Sequence, residues 1–490
     1  MADASGNKAA NRGSDTLRTD WTRKQLQILA DTRPRKLVTI VIQLQERVRE
    51  LQARLAQNSQ NSSKPPSSDG YAKPAPKSLR EKSGRTSGGQ PGHPGHTLKP
   101  VEKPDHIEIH PLMRCPCGCG GSLENQSVVR YEKRQVFDLP PLKLEVTEHR
   151  AEVKVCPHSG LEVTAAFPAG VSAPVQYGAR WKGWLVYLRV LQLLPLRRIR
   201  QLCADLFGCA VSEATVEGSV VAAYKALAGF NAEVIRQLLV SPVAHADETG
   251  MRVTGKLHWF HVLSTGLITW FGVHPKRGHE ALDAFGILPR FTGRLIHDFF
   301  ESYFRYLCRH GMCIPHILRE LKFLHEQCRQ SWAGKMRELL LEMRRFVLER
   351  KQQTGTLTQA QRKRWIKRYR ALLKEGFAAN PPAAHQPGKR GRAKQSKAYN
   401  LLQRLKLHER DVLAFLYDLR VPFSNNQAER DFRMVKVQQK ISGTFRILAG
   451  AEYFARVRSY LSTARKQDHN AFAAMIGAMS GQPFMPRAPT

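Results

Sequence analysis

The chain has 490 residues, with 77 Lys or Arg against 41 Asp or Glu, and therefore a formal net charge of +36. Its hydrophobic share of 42% is ordinary for a globular protein of two to four domains, and no window approaches the ~18 apolar residues of a membrane span. Composition excludes a membrane-embedded or secreted chain, and the positive charge predicts a polyanionic partner, with nucleic acid as the first candidate.

The N-terminal region predicts a tail, a coiled coil and a linker. Residues 1–36 are polar, basic and irregular, and we expect them to be disordered. Over 37–57 apolar residues recur at alternating steps of four and three, at Leu37, Val41, Leu44, Val48, Leu51 and Leu55. This seam predicts a coiled coil that joins protomers, and a helix packed on its own domain is the alternative. Residues 58–104, rich in Pro, Gly, Ser and Lys, predict a flexible basic linker.

A small cysteine-bearing module is predicted over residues 105–165. It offers five metal-ligating side chains, at Cys115, Cys117, Cys119, Cys156 and His158. A structural zinc ion takes four ligands, and we expect Cys115, Cys119, Cys156 and His158, with Cys117 as an alternative sharer. A metal-free remnant is the other interpretation. Alternating apolar residues between Val136 and Val155 predict a β-hairpin or a meander.

Residues 166–238 are predicted to be helical. The stretch Leu196–Leu206, a turn at residues 207–210 and Ser212 as the cap of a second helix have the spacing of a helix-turn-helix. An ordinary helical hairpin is the alternative interpretation. If the chain binds DNA, we expect this region or the cysteine-bearing module to read its bases.

The C-terminal half changes from strand-like to helical patterns. Over 239–316 three β-rich runs, a helix and a fourth strand follow one another, which is the opening order of a ribonuclease-H-like α/β fold. Residues 399–465 are predicted to complete this domain, and 466–490 form a tail. Residues 317–398 predict a helical insertion that grips DNA, and the segment 351–400 alone carries a net charge of +12.

Three carboxylates are candidates for catalysis. Asp247 and Asp298 each follow an apolar strand, and we expect both at strand ends. Glu429 lies on a helix that Ser424, Asn425 or Asn426 can cap, and it leads a single-face series of cations, Arg433, Lys436 and Lys440. Three carboxylates are what two divalent metal ions need for an in-line phosphoryl displacement.

Several long motifs resemble bacterial transposases of the insertion-sequence-sixty-six family. They are NSSKPPSSDG, GGQPGHPGH, HADETG, CIPHILRELKFLHE and VPFSNNQAERDFRMVKVQQKISGTFR, in order along nearly the whole chain. The resemblance implies a DDE-type transposase with a ribonuclease-H-like catalytic domain and an N-terminal DNA-binding region containing a zinc-finger-like module. It matches Asp247 to the first catalytic aspartate and Glu429 to the catalytic glutamate. Asp298 is our choice for the second aspartate, but its surroundings depart from the family pattern, and Glu301 is the local alternative.

These observations predict a DNA transposase that cleaves transposon ends and transfers them into target DNA. Asp247, Asp298 and Glu429 would hold two Mg²⁺ ions, and Arg430, Arg433, Lys436 and Lys440 would position phosphates. We expect a homo-oligomer that lies in the bacterial cytoplasm and associates with the nucleoid. Companion proteins encoded by the same mobile element are further expected partners. The alternative is a catalytically inactive DNA-binding regulator or accessory protein of a mobile element.

Overall fold

The computed structural model describes residues 21–62, 92, 98–353, 355–384 and 393–487. The chain divides into a large unit, residues 1–77, 177–199 and 213–490, and a small unit, residues 78–176 and 200–212. Parts of the predicted tail and of the basic segment, and most of the predicted linker, lie outside the described residues. Within the described part of the chain, no helix has both the length and the apolar character needed to cross a membrane.

Two helices open the described chain, so the disorder that we expected over residues 1–36 is wrong for residues 23–32 and 34–36. Thr22 and Gln25 form a reciprocal capping box at the start of α1 (Arg23–Thr32), and Pro34 occupies the first turn of α2 (Pro34–Leu55). The apolar seam of α2 is largely uncovered, since Val48, Leu51 and Leu55 are 51%, 44% and 86% exposed. The expected helix is therefore present, and the coiled coil between protomers stays a prediction.

The small unit contains one short hairpin. β1 (Val153–Val155) pairs antiparallel with β2 (Glu162–Thr164). The hairpin that we predicted between Val136 and Val155 is wrong in its position, because residues 136–152 contain no strand. The alternating apolar residues there are solvent-exposed, at 90% for Val136 and 89% for Val146, so the pattern has no buried face to stabilise it.

Helices precede the main sheet, as the sequence predicts. They are α3 (Ala179–Val186), which continues into a π-helical turn at Tyr187–Leu191, then α4 (Leu196–Phe207), α5 (Glu213–Ala226) and α6 (Ala228–Val240). α4 ends at Gly208, whose φ of +64° is the left-handed conformation that favours glycine after a helix. The predicted pair of helices around this turn is present, and its use as a helix-turn-helix stays a prediction.

The main sheet contains five strands in the order β5-β4-β3-β6-β7. They are β3 (Val243–Val253), β4 (Lys256–Ser264), β5 (Thr269–His274), β6 (Arg294–His297) and β7 (Arg309–Met312). The first three form the expected antiparallel meander, α7 (His279–Phe285) follows, and β6 and β7 run parallel to β3. Thr254 and Gly255 both have positive φ, as a two-residue turn between twisted strands requires.

Helices complete the large unit. The first group is α8 (Ile314–Cys328), α9 (Ser331–Gln353), α10 (Gln359–Ala379), α11 (Lys397–Leu407), α12 (Glu409–Val412) and α13 (Ala414–Tyr417). The second is α14 (Asn426–Ser442), α15 (Leu448–Lys466) and α16 (Ala471–Met479). The tail that we expected over residues 466–490 is therefore wrong for α16, which is part of the core. The first group has its own hydrophobic core, and the second packs with α3, α5 and α6 on the other core.

The larger core reaches both faces of the sheet, since Ala246 and Met251 of β3 point to opposite faces and both belong to it. In β6, Leu295 belongs to the core of α14–α16 and its neighbour Ile296 to the core of α8–α13. In β3, Ala244 and Ala246 belong to the former and Val243 packs against the latter. Successive side chains of a strand point to opposite faces, so His245 and Asp247 lie on the face of Val243 and Ile296. Helix α14 covers the same face at β5, where Phe271, aligned with Asp247 across β4, contacts Phe432.

Candidate active site and cysteine cluster

Asp247 lies on the central strand at the point where one of its two neighbours ends. The parallel pairing of β3 with β6 runs only from Val243 to His245, whereas the antiparallel pairing with β4 continues to Val253. We expected Asp247 at the end of a strand, and this was wrong, since the pairing with β4 extends β3 for six residues beyond it. The side chain therefore stands on a paired strand beside the space left by the end of β6.

Asp298 follows β6 immediately and lies level with Asp247. His245 is paired with Ile296, so continuing this register by two residues brings Asp247 opposite Asp298 on the same face. The Asp298 carboxylate accepts a hydrogen bond of 2.9 Å from the Phe300 amide, which fixes the turn after the strand. Glu301, the alternative candidate, is exposed at the start of a short 3₁₀ helix.

Asn425 attaches the helix that carries Glu429 to the strand that carries Asp247. Its side-chain oxygen lies 2.9 Å from His245 Nδ1, and its side-chain amide donates to the Ala246 carbonyl at 2.7 Å. Asn425 is at the N-cap of α14, but its side chain does not cap the helix as we had expected, because both of its ends bind β3. The buried amide thereby holds the start of α14, with Glu429 in its first turn, near enough for the charge of Glu429 to act on Asp247.

Burial and like charge act together on Asp247. Its pKa is raised well above the ordinary value, first by burial, then by the negative charge of Glu248 and more weakly by Asp298 and Glu429. Burial lowers the pKa of Lys436, on α14, and the nearby negative charge of Asp247 offsets part of that shift. The charges of Asp298 and Glu429 thus both act on Asp247. Glu301 is not among the groups that shift the pKa of Asp247.

Glu248 holds the turn after β6 against the sheet, a role that the sequence did not reveal. Its carboxylate, 2% exposed, accepts a hydrogen bond of 2.6 Å from the Tyr303 hydroxyl and one of 2.6 Å from Arg277. Arg277 also lies 4.1 Å above the Phe300 ring. Successive residues of a strand point to opposite faces, so Glu248 points away from Asp247. Its hydrogen bond with Tyr303 fixes the position of the turn that carries Asp298. The only signal in the sequence was its place next to Asp247.

The predicted phosphate-binding cations are exposed side chains of one helix, α14. Arg430, Arg433, Lys436 and Lys440 are all exposed residues of α14, downstream of Glu429. The Lys436 ammonium donates to the Gly250 carbonyl at 3.3 Å, and Arg430 donates to Gln427 at 2.8 Å. The face of α14 that leads away from Glu429 is therefore positively charged, and anions are its natural ligands.

Two groups of metal-ligating side chains stand out among the described residues. Cys115, Cys117 and Cys119 form one, and Cys313, His316 and Glu429 form the other, and in each group the ligand atoms lie within 4.8 Å of one another. Asp247 and Asp298 are outside the second group. Two ions held ~3.5–4 Å apart need ligands spread more widely than a single ion does.

The first group lies in the small unit. Cys115 and Cys117 have their sulfurs 2.8 Å apart, and hydrogen bonding to Cys115 lowers the pKa of Cys117 to about 7. Soft sulfur ligands of this kind select zinc. Among the described residues, this group does not include Cys156 and His158, which we had expected as ligands. It does include Cys117, which we had considered as an alternative ligand.

Comparisons with known families agree with these observations. The model of the transposase IS66 family matches residues 174–453, more than half of the chain. The zinc-finger binding domain of transposase IS66 matches residues 114–158, which include the cysteine group, and a family of unknown function matches residues 15–99. No curated protein matches the chain.

Proposed function

We propose that this chain, which belongs to the transposase IS66 family, cleaves the phosphodiester bonds at transposon ends and joins the freed 3′ ends to target DNA. The observation that carries the proposal is the convergence of Asp247, Asp298 and Glu429, from two adjacent parallel strands and one helix, in a shared electrostatic environment. Acids beside one another in a partly buried site are unfavourable unless a cation or a proton compensates them, so their convergence favours a site for cations.

The sheet supports a ribonuclease-H-like catalytic domain within this proposal. Its meander of three antiparallel strands, followed by a helix and the fourth strand β6, has the order that the sequence led us to expect, and β7 adds a parallel strand that we did not predict. Ligands of open α/β sheets bind beyond the carboxyl ends of parallel strands, where Asp298 stands. The basic helices between Ile314 and Leu407 then form an insertion between the strands and α14, which carries Glu429.

The carboxylate donors fit magnesium. Mg²⁺ prefers oxygen ligands, and no Lys or Arg nitrogen of the described residues forms an ion pair with Asp247. Asp247, Asp298 and Glu429 would hold the ions, which when bound activate the attacking oxygen and stabilise the leaving one. Glu248 and Asn425 would keep the three carboxylates in place, and Arg430, Arg433, Lys436 and Lys440 would bind phosphates on either side of the cleaved bond.

The remaining regions fit recognition and assembly. We propose that the cysteines of the small unit hold a structural zinc ion, with Cys115, Cys117 and Cys119 as a core and Cys156 or His158 as the fourth ligand. Helices α4 and α5 would read transposon ends, and the exposed seam of α2 would join protomers in a coiled coil.

Strand cleavage of a duplex that carries the transposon end tests this function. In Mg²⁺, Asp247→Ala, Asp298→Ala and Glu429→Ala should lose activity by about 100-fold or more, whereas Glu301→Ala, an exposed neighbouring acid, should keep it. Unchanged cleavage in the first three variants would contradict the two-metal proposal. A wild-type chain that binds the duplex and never cuts it would instead identify a DNA-binding regulator.

A further inference from the structure

The starts of two helices bring a thiol, an imidazole and a carboxylate together. Cys313 precedes α8, His316 lies in its first turn, and Glu429 lies in the first turn of α14. The Cys313 sulfur, a ring nitrogen of His316 and a carboxylate oxygen of Glu429 are all within 4.8 Å of one another. The catalytic proposal uses Glu429 alone, so the other two side chains need a separate explanation.

Backbone hydrogen bonds hold this group in place. The Cys313 amide donates to the His297 carbonyl at 2.8 Å, which joins the start of α8 to the end of β6. The backbone N–H of Asn425 donates to the Cys313 sulfur at 3.2 Å, which joins α8 to α14. Cys313 is 1% exposed, so its sulfur has a fixed position at the bottom of the group.

The imidazole of His316 is the side chain of this group with an unpaired buried polar atom. His316 Nδ1 is buried and has no hydrogen-bond partner among the described residues. A buried polar atom without a partner costs stability, and such atoms in native proteins call for an explanation such as an ion. A cation bound by the ring, or by the groups around it, would supply one.

We propose that Cys313, His316 and Glu429 bind a transition-metal dication such as Zn²⁺. Sulfur and nitrogen donors favour zinc over magnesium, and three protein ligands leave a fourth position for water or a phosphate oxygen. Bond lengths of about 2.0–2.3 Å separate tetrahedral ligands by about 3.3–3.8 Å, so the group closes with movements of about 1 Å. The exposed Glu429 side chain is free to make such a movement.

A bound zinc ion would act on cleavage through Glu429. That carboxylate would be withdrawn from the acidic set with Asp247 and Asp298, so Zn²⁺ should inhibit cleavage in the presence of Mg²⁺. This consequence rests on the proposed function, whereas the binding site itself does not.

Cobalt titration of the full chain tests the site. The four thiols of the cysteine-bearing module are first removed by the substitutions Cys115→Ser, Cys117→Ser, Cys119→Ser and Cys156→Ser. We expect this background to bind one equivalent of Co²⁺ with a near-ultraviolet band that arises from charge transfer between sulfur and cobalt. Adding Cys313→Ala should abolish the band. Adding His316→Ala should weaken binding by about tenfold or more.

A buried thiol nearby provides the matched control. Cys308 is 6% exposed and lies outside the group, so Cys308→Ala should leave both the band and the affinity unchanged. A background without the band, or a band that survives Cys313→Ala, would overturn the proposal. If Cys313→Ala does not fold, the affinities of His316→Ala and Glu429→Gln decide, and unchanged values in both would overturn it.

The same measurements separate the two proposals. Cobalt binding by a chain that never cleaves DNA would support this site and contradict the proposed function. Magnesium-dependent cleavage by a chain that shows no cobalt–sulfur band would contradict this site and leave the function standing.

Discussion

Asn425→Ala is the substitution that most directly tests how the candidate active site is held together. It removes the contact of 2.9 Å with His245 and the hydrogen bond of 2.7 Å to the Ala246 carbonyl. The amide is 3% exposed, so water does not replace either partner without rearrangement. The backbone amide of residue 425 remains, and with it the hydrogen bond to Cys313.

The expected loss of stability follows from these two contacts. A buried polar group that loses its partner costs about 1–3 kcal/mol, so the substitution should lower the free energy of unfolding by about 2–4 kcal/mol. Asn426, the exposed neighbour, is a matched control, and Asn426→Ala should change stability by less than about 0.5 kcal/mol. Because α14 carries Glu429, Asn425→Ala should also slow cleavage by about 10–100-fold.

Urea unfolding followed by tryptophan fluorescence is a suitable assay. All seven Trp residues lie in the large unit, so the signal reports unfolding of the unit that contains the site. Cleavage of the transposon-end duplex is measured on the same preparations. If Asn425→Ala unfolded at the urea concentration of Asn426→Ala and cleaved at the wild-type rate, the proposed link between α14 and β3 would be refuted.

Three further predictions concern stability and zinc. Glu248→Gln should cost about 1–3 kcal/mol, measured by urea unfolding, because the buried carboxylate loses its charge pair with Arg277 while the Tyr303 hydroxyl keeps an acceptor. Folding raises the pKa of Asp247, so wild-type stability falls as the pH rises from the ordinary aspartate pKa towards the folded value. Asp247→Asn should therefore be the more heat-stable chain at neutral pH without divalent cations, and it should lose that advantage in acid. Cys117→Ser should reduce bound zinc, measured by native mass spectrometry.

Each of these predictions has a contradicting outcome, and the predictions for Glu248 and Cys117 also have a matched control variant. Glu301→Gln, an exposed acid in the same turn region, should unfold like wild type, and an equal loss in both glutamates would contradict the role of Glu248. Equal thermal stability of Asp247→Asn and wild type across the pH range would contradict the raised pKa. Cys328→Ser, an exposed cysteine outside the zinc group, should retain zinc, and full zinc in Cys117→Ser would remove Cys117 from the ligand set.

Local patterns predicted the elements of the large unit well. The meander β3–β5, the helix α7 and the strand β6 each follow from short apolar runs between turn residues, because their side chains are buried on one or both faces. The same reasoning was wrong for the hairpin at residues 136–155, where the alternating residues are exposed. Periodicity predicts a strand only where a partner covers one of its faces.

Partners distant in sequence explain what the sequence could not reveal about the site. Asn425 was recognisable only as a helix cap, since nothing local indicates its bonds to residues 180 positions earlier. Glu248 and Tyr303 are 55 residues apart, and Cys313 meets Glu429 through the packing of two helix starts. Side chains of this kind are found from topology and packing, which single-sequence patterns do not encode.

The central claim is that Asp298 binds the cation that supports cleavage, together with Asp247 and Glu429. Replacing a ligand carboxylate with a thiolate changes the preferred metal from Mg²⁺ to softer ions such as Mn²⁺. The decisive measurement is the cleavage rate of Asp298→Cys in each metal, with Glu301→Cys alongside. We predict that Asp298→Cys is inactive in Mg²⁺ and regains cleavage in Mn²⁺, whereas Glu301→Cys cleaves in Mg²⁺ at the wild-type rate. Full activity of Asp298→Cys in Mg²⁺, with loss of activity in Glu301→Cys, would contradict the account.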